Sequence, residues 1–214
     1  MADNRSDIRD GMRVDWDVPI PMDDGVVLRA DVFRPETSDK VPVIFNTSVY
    51  QKDKLWVPPD DLEEKANPYM NWETVNPLWW CPRGYALVRV DTRGTGKSPG
   101  KSEPSSYQEG LDSYDVTEWI ARQPWCNGNV GCLGISYHAA FQWRLANLQP
   151  PSLKAIMPWE GRADQYRDQA YHGGIFAMGF ISQWANSTTA HNLLGRPRGW
   201  RCSTRCATSE VAPG

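Results

Sequence analysis

The 214-residue sequence is poor in histidine, in net charge and in long hydrophobic runs. Its 23 Lys and Arg residues against 26 Asp and Glu residues give a net charge of -3, which argues against an electrostatic nucleic-acid binder. No run approaches the roughly 18 apolar residues of a membrane span, and the charged first ten residues lack the apolar core of a signal peptide. Any histidine chemistry must use His138, His172 or His191.

Cysteine is also scarce, and its five residues are scattered, at 81, 126, 132, 202 and 206. An odd, dispersed set is typical of reduced thiols, so we expect a cytoplasmic protein without a disulfide framework. Cys202 and Cys206 with His191 would supply only three of the four ligands of a closed zinc site. A phosphate-binding loop at Gly94–Ser98 would need glycine at position 91, which is Asp91. We therefore expect neither metal nor cofactor.

What is present is a globular composition, 40% hydrophobic, with the size of one domain or slightly more. Asp23–Gly25 predicts a turn between two extended segments, and Gln51–Pro82 predicts a long excursion. The other predicted strands are Val41–Phe45, Tyr85–Val90, Asn129–Leu133 and Lys154–Met157, and the helices are Glu109–Gln123 and Ala139–Leu148. This alternation predicts an α/β protein with a mostly parallel sheet and flanking helices.

Ser136 follows a predicted buried strand and precedes a helix, which is the sequence form of a nucleophile elbow. Such a turn projects the serine oxygen from the sheet and leaves the next backbone N–H, that of Tyr137, available to an oxyanion. Gly134 lets the strand and helix approach each other. The simpler interpretation is a serine that caps an ordinary helix.

The segment Trp119–His138 resembles the cocaine esterase / X-Pro dipeptidyl-peptidase (CocE/NonD) family of α/β-hydrolases. The family elbow is G-x-S-Y-x-G, so the resemblance implies that Ser136 is the nucleophile; Ala139 replaces the last glycine. Family landmarks also occur at Met22–Pro35 and Asp91–Ser98. The resemblance extends from about residue 14 to about residue 190, and the tail after Leu194 does not share it.

The run Val41–Tyr50 is similar to the strand of that family that carries an oxyanion-binding tyrosine. The resemblance implies that the Tyr50 phenol donates to the oxyanion beside the Tyr137 N–H. A phenol suits this task because it is a neutral donor at pH 7, and its hydrogen bond strengthens as the carbonyl oxygen gains charge.

A general base is harder to identify. Asp164 or Asp168 followed by His172 or His191 has the chain order of an α/β-hydrolase triad, but too few residues follow Met157 to build the later strands. The resemblance instead implies that Asp164 and His172 lie in the helical cap. We expect His138 to pack within the elbow helix.

These observations predict an α/β-hydrolase that is incomplete at its C-terminus. Residues 14–158 would form the N-terminal part of the hydrolase domain, 159–194 the start of the cap, and 195–214 an irregular tail. The favoured function is a serine acyl-hydrolase acting on a small-molecule ester or short peptide. Carboxylesterase, α-amino-acid ester hydrolase and X-Pro dipeptidyl-peptidase activities remain open. The alternative is a catalytically inactive truncated fragment or pseudoenzyme.

Overall fold

The computed structural model describes residues 5–58, 61, 63, 65–190 and 192. A seven-stranded sheet runs through the molecule in the order β1-β2-β3-β5-β4-β6-β7. Its strands are β1 (Arg5–Arg9), β2 (Met12–Pro21), β3 (Val27–Pro35), β4 (Val41–Ser48), β5 (Ala86–Asp91), β6 (Cys126–Ile135) and β7 (Leu153–Trp159).

The sheet is mixed. Strands β5, β4, β6 and β7 are parallel neighbours, as predicted, whereas β1, β2 and β3 add an antiparallel meander that joins β5. The turn predicted at Asp23–Gly25 connects β2 to β3. Strand β1 has no apolar alternation and is largely exposed, so the sequence pattern does not predict it.

Two hydrophobic clusters lie on opposite faces of the sheet because successive strand residues point to opposite sides. On one face, Phe45 and Val88 pack with Val116 of α2 (Tyr107–Ala121) and Phe141 of α3 (Tyr137–Asn147). On the other face, the cluster includes Ile44 and Leu87 together with residues of the excursion. The central strands are therefore buried on both sides, which explains their continuous apolar sequences.

The excursion between β4 and β5 contains little regular structure. Its last part forms the short helix α1 (Pro77–Trp80) and a 3₁₀ turn at Cys81–Arg83. After β7 the chain forms a π-helical turn (Gln165–Ala170), a small hairpin of β8 (Tyr171–His172) and β9 (Ile175–Phe176), the helix α4 (Met178–Trp184) and another π-helical turn (Ala185–Ala190). The domain boundary at residue 159 stays a prediction.

Three cysteines of the described chain, Cys81, Cys126 and Cys132, are buried free thiols. Among the residues that the structure describes, none of the helices has the length and apolar character needed to cross a bilayer. The candidate zinc ligands Cys202, Cys206 and His191 lie outside the described residues, as does the tail at 195–214.

Candidate active site

Ser136 occupies a sharp turn between β6 and α3. Its backbone has φ 58° and ψ -113°, a conformation that non-glycine residues adopt rarely and at a cost in free energy. Its N–H donates to the Trp159 carbonyl at 3.0 Å, and its carbonyl accepts from the Ala140 N–H at 2.9 Å. The Ser136 side chain makes no capping hydrogen bond. The geometry thus favours an elbow over a serine that simply caps a helix.

Two glycines make room for this turn. A Cβ on Gly134 would lie 2.5 Å from the His138 Cβ, which is closer than two carbon atoms can pack. A Cβ on Gly161 would lie 2.5 Å from the Cβ of Ala139. The methyl group that Ala139 adds to the family pattern is therefore accommodated by the absence of a side chain at residue 161, and Ala139 is fully buried.

Tyr50 stands in the turn that follows β4, and its neighbours in the chain are anchored to buried groups. The Tyr50 N–H donates to the Ser48 Oγ at 3.1 Å. Two residues later, the Lys52 N–H donates to Asp91 Oδ1 at 2.7 Å, while the Lys97 N–H donates to Oδ2 of the same carboxyl at 3.0 Å. Asp91 thus links the Tyr50 turn to the loop after β5. The Gly94–Ser98 segment, considered above as a phosphate-binding loop, has this structural role instead.

The Tyr50 phenol reaches the elbow. Its ring packs edge-on against Tyr137, with centroids 5.9 Å apart, and is almost completely buried. Burial and the nearby Glu73 charge raise the pKa of Tyr50 to about 12, while hydrogen bonding with the side chains of Trp184 and Ser136 partly counters this shift. At neutral pH the phenol is consequently a protonated hydrogen-bond donor beside Ser136.

Tyr137 is held rigidly. Its phenol donates to Glu109 Oε1 at 2.7 Å, and Arg144 pairs with Oε2 of the same carboxylate at 2.8 Å. Its ring stacks on Trp184 of α4, with centroids 5.9 Å apart and an interplanar angle of 17°. Tyr137 is the first residue of α3, so its N–H has no acceptor within that helix.

Glu73 is a site residue that the sequence did not reveal. Its carbonyl accepts from the N–H of Ile135, the residue before Ser136, at 3.3 Å. Burial raises the pKa of the Glu73 carboxyl to about 7; hydrogen bonds from the Trp72 and Ser136 side chains oppose the shift, and the Glu160 charge adds to it. Glu73 and Glu160 have φ values of 59° and 49°, so strained backbone gathers around Ser136. No motif marks either glutamate in the sequence.

Neither of the two described histidines makes a hydrogen bond to Ser136. His138 is buried against Tyr50, with ring centroids 5.7 Å apart, and burial and the Arg89 charge lower its pKa to about 3. His172 Nε2 lies 2.6 Å from the Asp168 carbonyl oxygen on the exposed surface. His191 falls outside the described residues.

The two aspartates considered for a triad are tied up in local turns. Asp164 Oδ1 accepts from the N–H groups of Tyr166 and Arg167, at 2.9 Å each. Asp168 Oδ2 accepts from the N–H groups of Ala163 and Asp164. Both carboxylates shape the segment after β7, and the place of Asp164 in a cap stays a prediction.

Three carboxylates, those of Asp17, Asp31 and Asp53, lie close enough together to bind a metal ion. The Lys52 ammonium, however, sits among them at 2.6 Å, 2.9 Å and 2.8 Å, and its side chain is fully buried. Lysine therefore holds the position that a cation would need.

A strained serine between a parallel strand and a helix that begins at the next residue is the nucleophile elbow of α/β-hydrolases. The model of the X-Pro dipeptidyl-peptidase (S15) family matches residues 24–208. The chain belongs to this family. The match extends past residue 194, so the expectation that the tail shares nothing with the family was wrong.

Named S15 relatives include both esterases and peptidases. The chain is 35% identical over 171 residues to the cocaine esterase of Rhodococcus sp., a stretch covering 78% of this chain and 27% of that protein. It is 30% identical over 186 residues to a candidate Xaa-Pro dipeptidyl-peptidase of Bacillus anthracis, covering 77% and 31%. The chain thus spans less than a third of these relatives' lengths.

Solved structures agree with the family assignment. A CocE/NonD family hydrolase from Staphylococcus aureus superposes with a TM-score of 0.78 at 38% identity, over 87% of this chain and 34% of that chain. An α-amino acid ester hydrolase superposes with a TM-score of 0.64 at 18% identity, which is evidence of a shared fold. The α/β-hydrolase fold and membership of a hydrolase family, both expected from the sequence, are confirmed.

Proposed function

We propose that this chain carries the nucleophile and the oxyanion-binding groups of a serine acyl-hydrolase that acts on a small-molecule ester or a short peptide. The observation that carries the proposal is the strained Ser136 turn with the buried Tyr50 phenol beside it. Backbone strain at a serine between a strand and a helix has a function when it projects the side chain toward a substrate.

In the proposed reaction, Ser136 Oγ attacks the acyl carbon and forms a tetrahedral intermediate. The Tyr50 O–H and the Tyr137 N–H donate to its oxyanion. The leaving group departs with a proton, giving an acyl-enzyme, and water then attacks the acyl carbon to release the acid and restore the serine. Fixed donors suit this task because they need no reorganisation as the charge develops.

The positions of the two tyrosines support their proposed division of labour. Tyr137 is locked by its phenol to Glu109, which leaves its backbone N–H as the contribution to the oxyanion. Tyr50 has its phenol at the elbow and contributes that group instead. The hydrogen-bond donors therefore come from two different strand ends, β4 and β6.

The family names of the relatives cover both ester and peptide cleavage, and we propose no choice between cocaine-type esters and X-Pro peptides on that basis. Neither described histidine is hydrogen-bonded to Ser136, so we propose neither of them as the general base.

Phosphonylation by a fluorophosphonate probe tests the proposal on the full chain, with Ser136→Ala as the control. We expect the chain to be labelled at Ser136, the Ser136→Ala variant to show none, and Tyr50→Phe to label about 10²-fold more slowly because one oxyanion donor is removed. Equal labelling of the chain and Ser136→Ala, or none of either, would favour the catalytically inactive alternative. An unchanged rate in Tyr50→Phe would remove Tyr50 from the site.

A further inference from the structure

Asn71 is a buried residue of the excursion, and its side-chain amide binds the backbone of the turn that follows Tyr50. The Asn71 Nδ2 donates to the carbonyl oxygens of Gln51 at 3.0 Å, of Lys52 at 3.4 Å and of Lys54 at 2.8 Å. Backbone carbonyls that leave solvent need hydrogen-bond donors. A single side chain thus supplies the donors for three carbonyls of one turn.

The turn has a conformation that its own residues do not favour. Gln51 has φ 66°, in the left-handed region that residues other than glycine rarely adopt. The hydrogen bond that closes the turn, from the Lys54 N–H to the Gln51 carbonyl, is long at 3.3 Å. Strained backbone of this kind persists where the surrounding contacts fix it. Here Asp91 accepts from the Lys52 N–H, and Asn71 donates to the carbonyls.

Asn71 is itself anchored to the sheet. Arg89 of β5 is buried, and its guanidinium donates to the carbonyls of Tyr69 at 2.6 Å and Val75 at 2.8 Å, which lie on either side of Asn71 in the chain. Strand β5 pairs with β4, the strand that leads to Tyr50. The Tyr50 turn is therefore connected to the sheet through Asn71 and Arg89 as well as through its own chain.

An oxyanion donor depends on its exact position. A phenol stabilises the developing charge only when its O–H lies within hydrogen-bond distance of the oxyanion, and a displacement of about 1 Å can slow a reaction about 10²-fold. Tyr50 is the residue directly before Gln51, so the backbone of the turn determines where the Tyr50 side chain is placed.

We propose that Asn71 is a positioning residue that acts through Tyr50, because it holds the strained turn and thereby keeps the phenol at the oxyanion. This inference rests on the proposed function, since it takes Tyr50 to be an oxyanion donor. Asn71 itself touches no reacting atom. Without its amide, the carbonyls of the turn lose their donor, Gln51 relaxes and the phenol moves.

A double-mutant cycle of fluorophosphonate labelling rates tests the inference on the full chain. Asn71→Ser removes the amide and leaves room for water at the carbonyls, whereas Asn71→Leu removes it and keeps the volume. We expect both variants to be labelled at Ser136 about 10- to 100-fold more slowly than the unmodified chain. In the Tyr50→Phe background, we expect the same substitutions to change the rate by no more than about twofold. The exposed Asn129→Ser variant is the matched control and should change neither rate.

Equal slowing in the two backgrounds would overturn the inference. It is the result expected if Asn71 supports the elbow in general, or if it acts through Glu73, which lies in the same segment and contacts Ser136. An unchanged rate in Asn71→Ser and Asn71→Leu without Tyr50→Phe would overturn it as well.

NMR spectra of the chain labelled with ¹³C at tyrosine Cζ report on Tyr50 without any reaction. The Tyr50 signal is identified by its loss in Tyr50→Phe. Both Asn71 variants should move this signal and leave in place that of Tyr114, which lies on α2 against the other cluster. A Tyr50 signal that stays in place, or a Tyr114 signal that moves as far in both variants, contradicts the inference.

The two measurements separate the two proposals. If the unmodified chain is not labelled but the Tyr50 signal moves in the Asn71 variants, the acyl-transfer function alone is refuted. If the chain is labelled at Ser136 but the rates in the cycle are additive, the role of Asn71 alone is refuted.

Discussion

Lys52 and Glu73 both lie in the excursion between β4 and β5, but their charged groups are buried in different ways. Around Lys52, Asp17, Asp31 and Asp53 surround one ammonium, and Lys97 reaches two of these carboxylates. Beside Ser136, Glu73 has a buried oxygen with no donor in the described chain. Charges that are satisfied internally stabilise a turn, whereas a charge left open is available to a ligand.

The two regions differ in the pKa values of their carboxyl groups. Burial raises the pKa of Asp17, but hydrogen bonds from Lys52 and Lys97 prevail and lower it to about 2. At Glu73 the opposing hydrogen bonds come from the neutral side chains of Trp72 and Ser136, and burial raises the pKa to about 7. The same desolvation thus produces an ionised group in one region and a group close to neutrality in the other.

The largest effect is expected from removing Lys52, the ammonium at the centre of the three carboxylates. Lys52→Met should lower the free energy of unfolding by about 3–5 kcal/mol, because it leaves three carboxylates without their buried partner. Urea denaturation measures this change. The matched control is Lys97→Met, whose side chain is 31% exposed and whose loss should cost about 1 kcal/mol or less. Equal costs would show that the cluster does not depend on Lys52.

The next largest effect on stability is expected from the contact between Gly161 and Ala139, which lies behind Ser136. Gly161→Ala should destabilise the protein by about 1–3 kcal/mol, because the new methyl group collides with Ala139. Thermal or urea unfolding measures the loss. The double variant Ala139→Gly with Gly161→Ala moves the methyl from one side of the contact to the other and should recover part of the stability. A strictly additive double variant would contradict direct contact between the two sites.

The smallest effect is the pH dependence of stability at Glu73. Its pKa is about 7 in the folded protein and the ordinary value is 4.5, so between these values the folded state retains a proton that the unfolded state has lost. The contribution of Glu73 to the free energy of unfolding therefore falls as the pH rises from about 4.5 to 7. Glu73→Gln should gain stability relative to the unmodified chain over this range.

Urea denaturation of both proteins at pH 4, 6 and 8 checks the sign of this dependence. Asp91, whose pKa burial likewise raises to about 7, remains in both proteins, so its contribution cancels in the comparison. A stability difference between Glu73→Gln and the unmodified chain that stays constant with pH, or that falls as the pH rises, would contradict the raised pKa.

Most of the sheet could be predicted because its strands are short apolar runs, and the segments between several of them have the periodicity of a helix. The run at Val41–Phe45 and the helix at Glu109–Gln123 correspond to β4 and α2, with shifts at the ends of a few residues. Strand β1 could not be predicted, since its exposed, charged residues have no buried face to impose a period of two. Its place is fixed by backbone pairing with β2.

The residues of the candidate site also differ in whether the sequence predicts them. Ser136 and Tyr137 are adjacent in the chain, so a local motif is enough to predict them, and the family resemblance adds Tyr50. Glu73 carries no such signal: it lies 63 positions before Ser136 in an irregular, Trp-rich segment. Its approach to the elbow depends on how the excursion folds back over β6.

The sequence by itself determined the alternation of strands and helices, the serine turn and the family to which the chain belongs, because these depend on local periodicity and on adjacent residues. Only the tertiary structure decided which charges are paired. Lys52 and Glu73 are both ionisable residues in the same irregular region, but desolvation and the distance to an opposite charge are properties of the packed molecule. Packing surrounds Lys52 with carboxylates and leaves Glu73 Oε2 open beside Ser136.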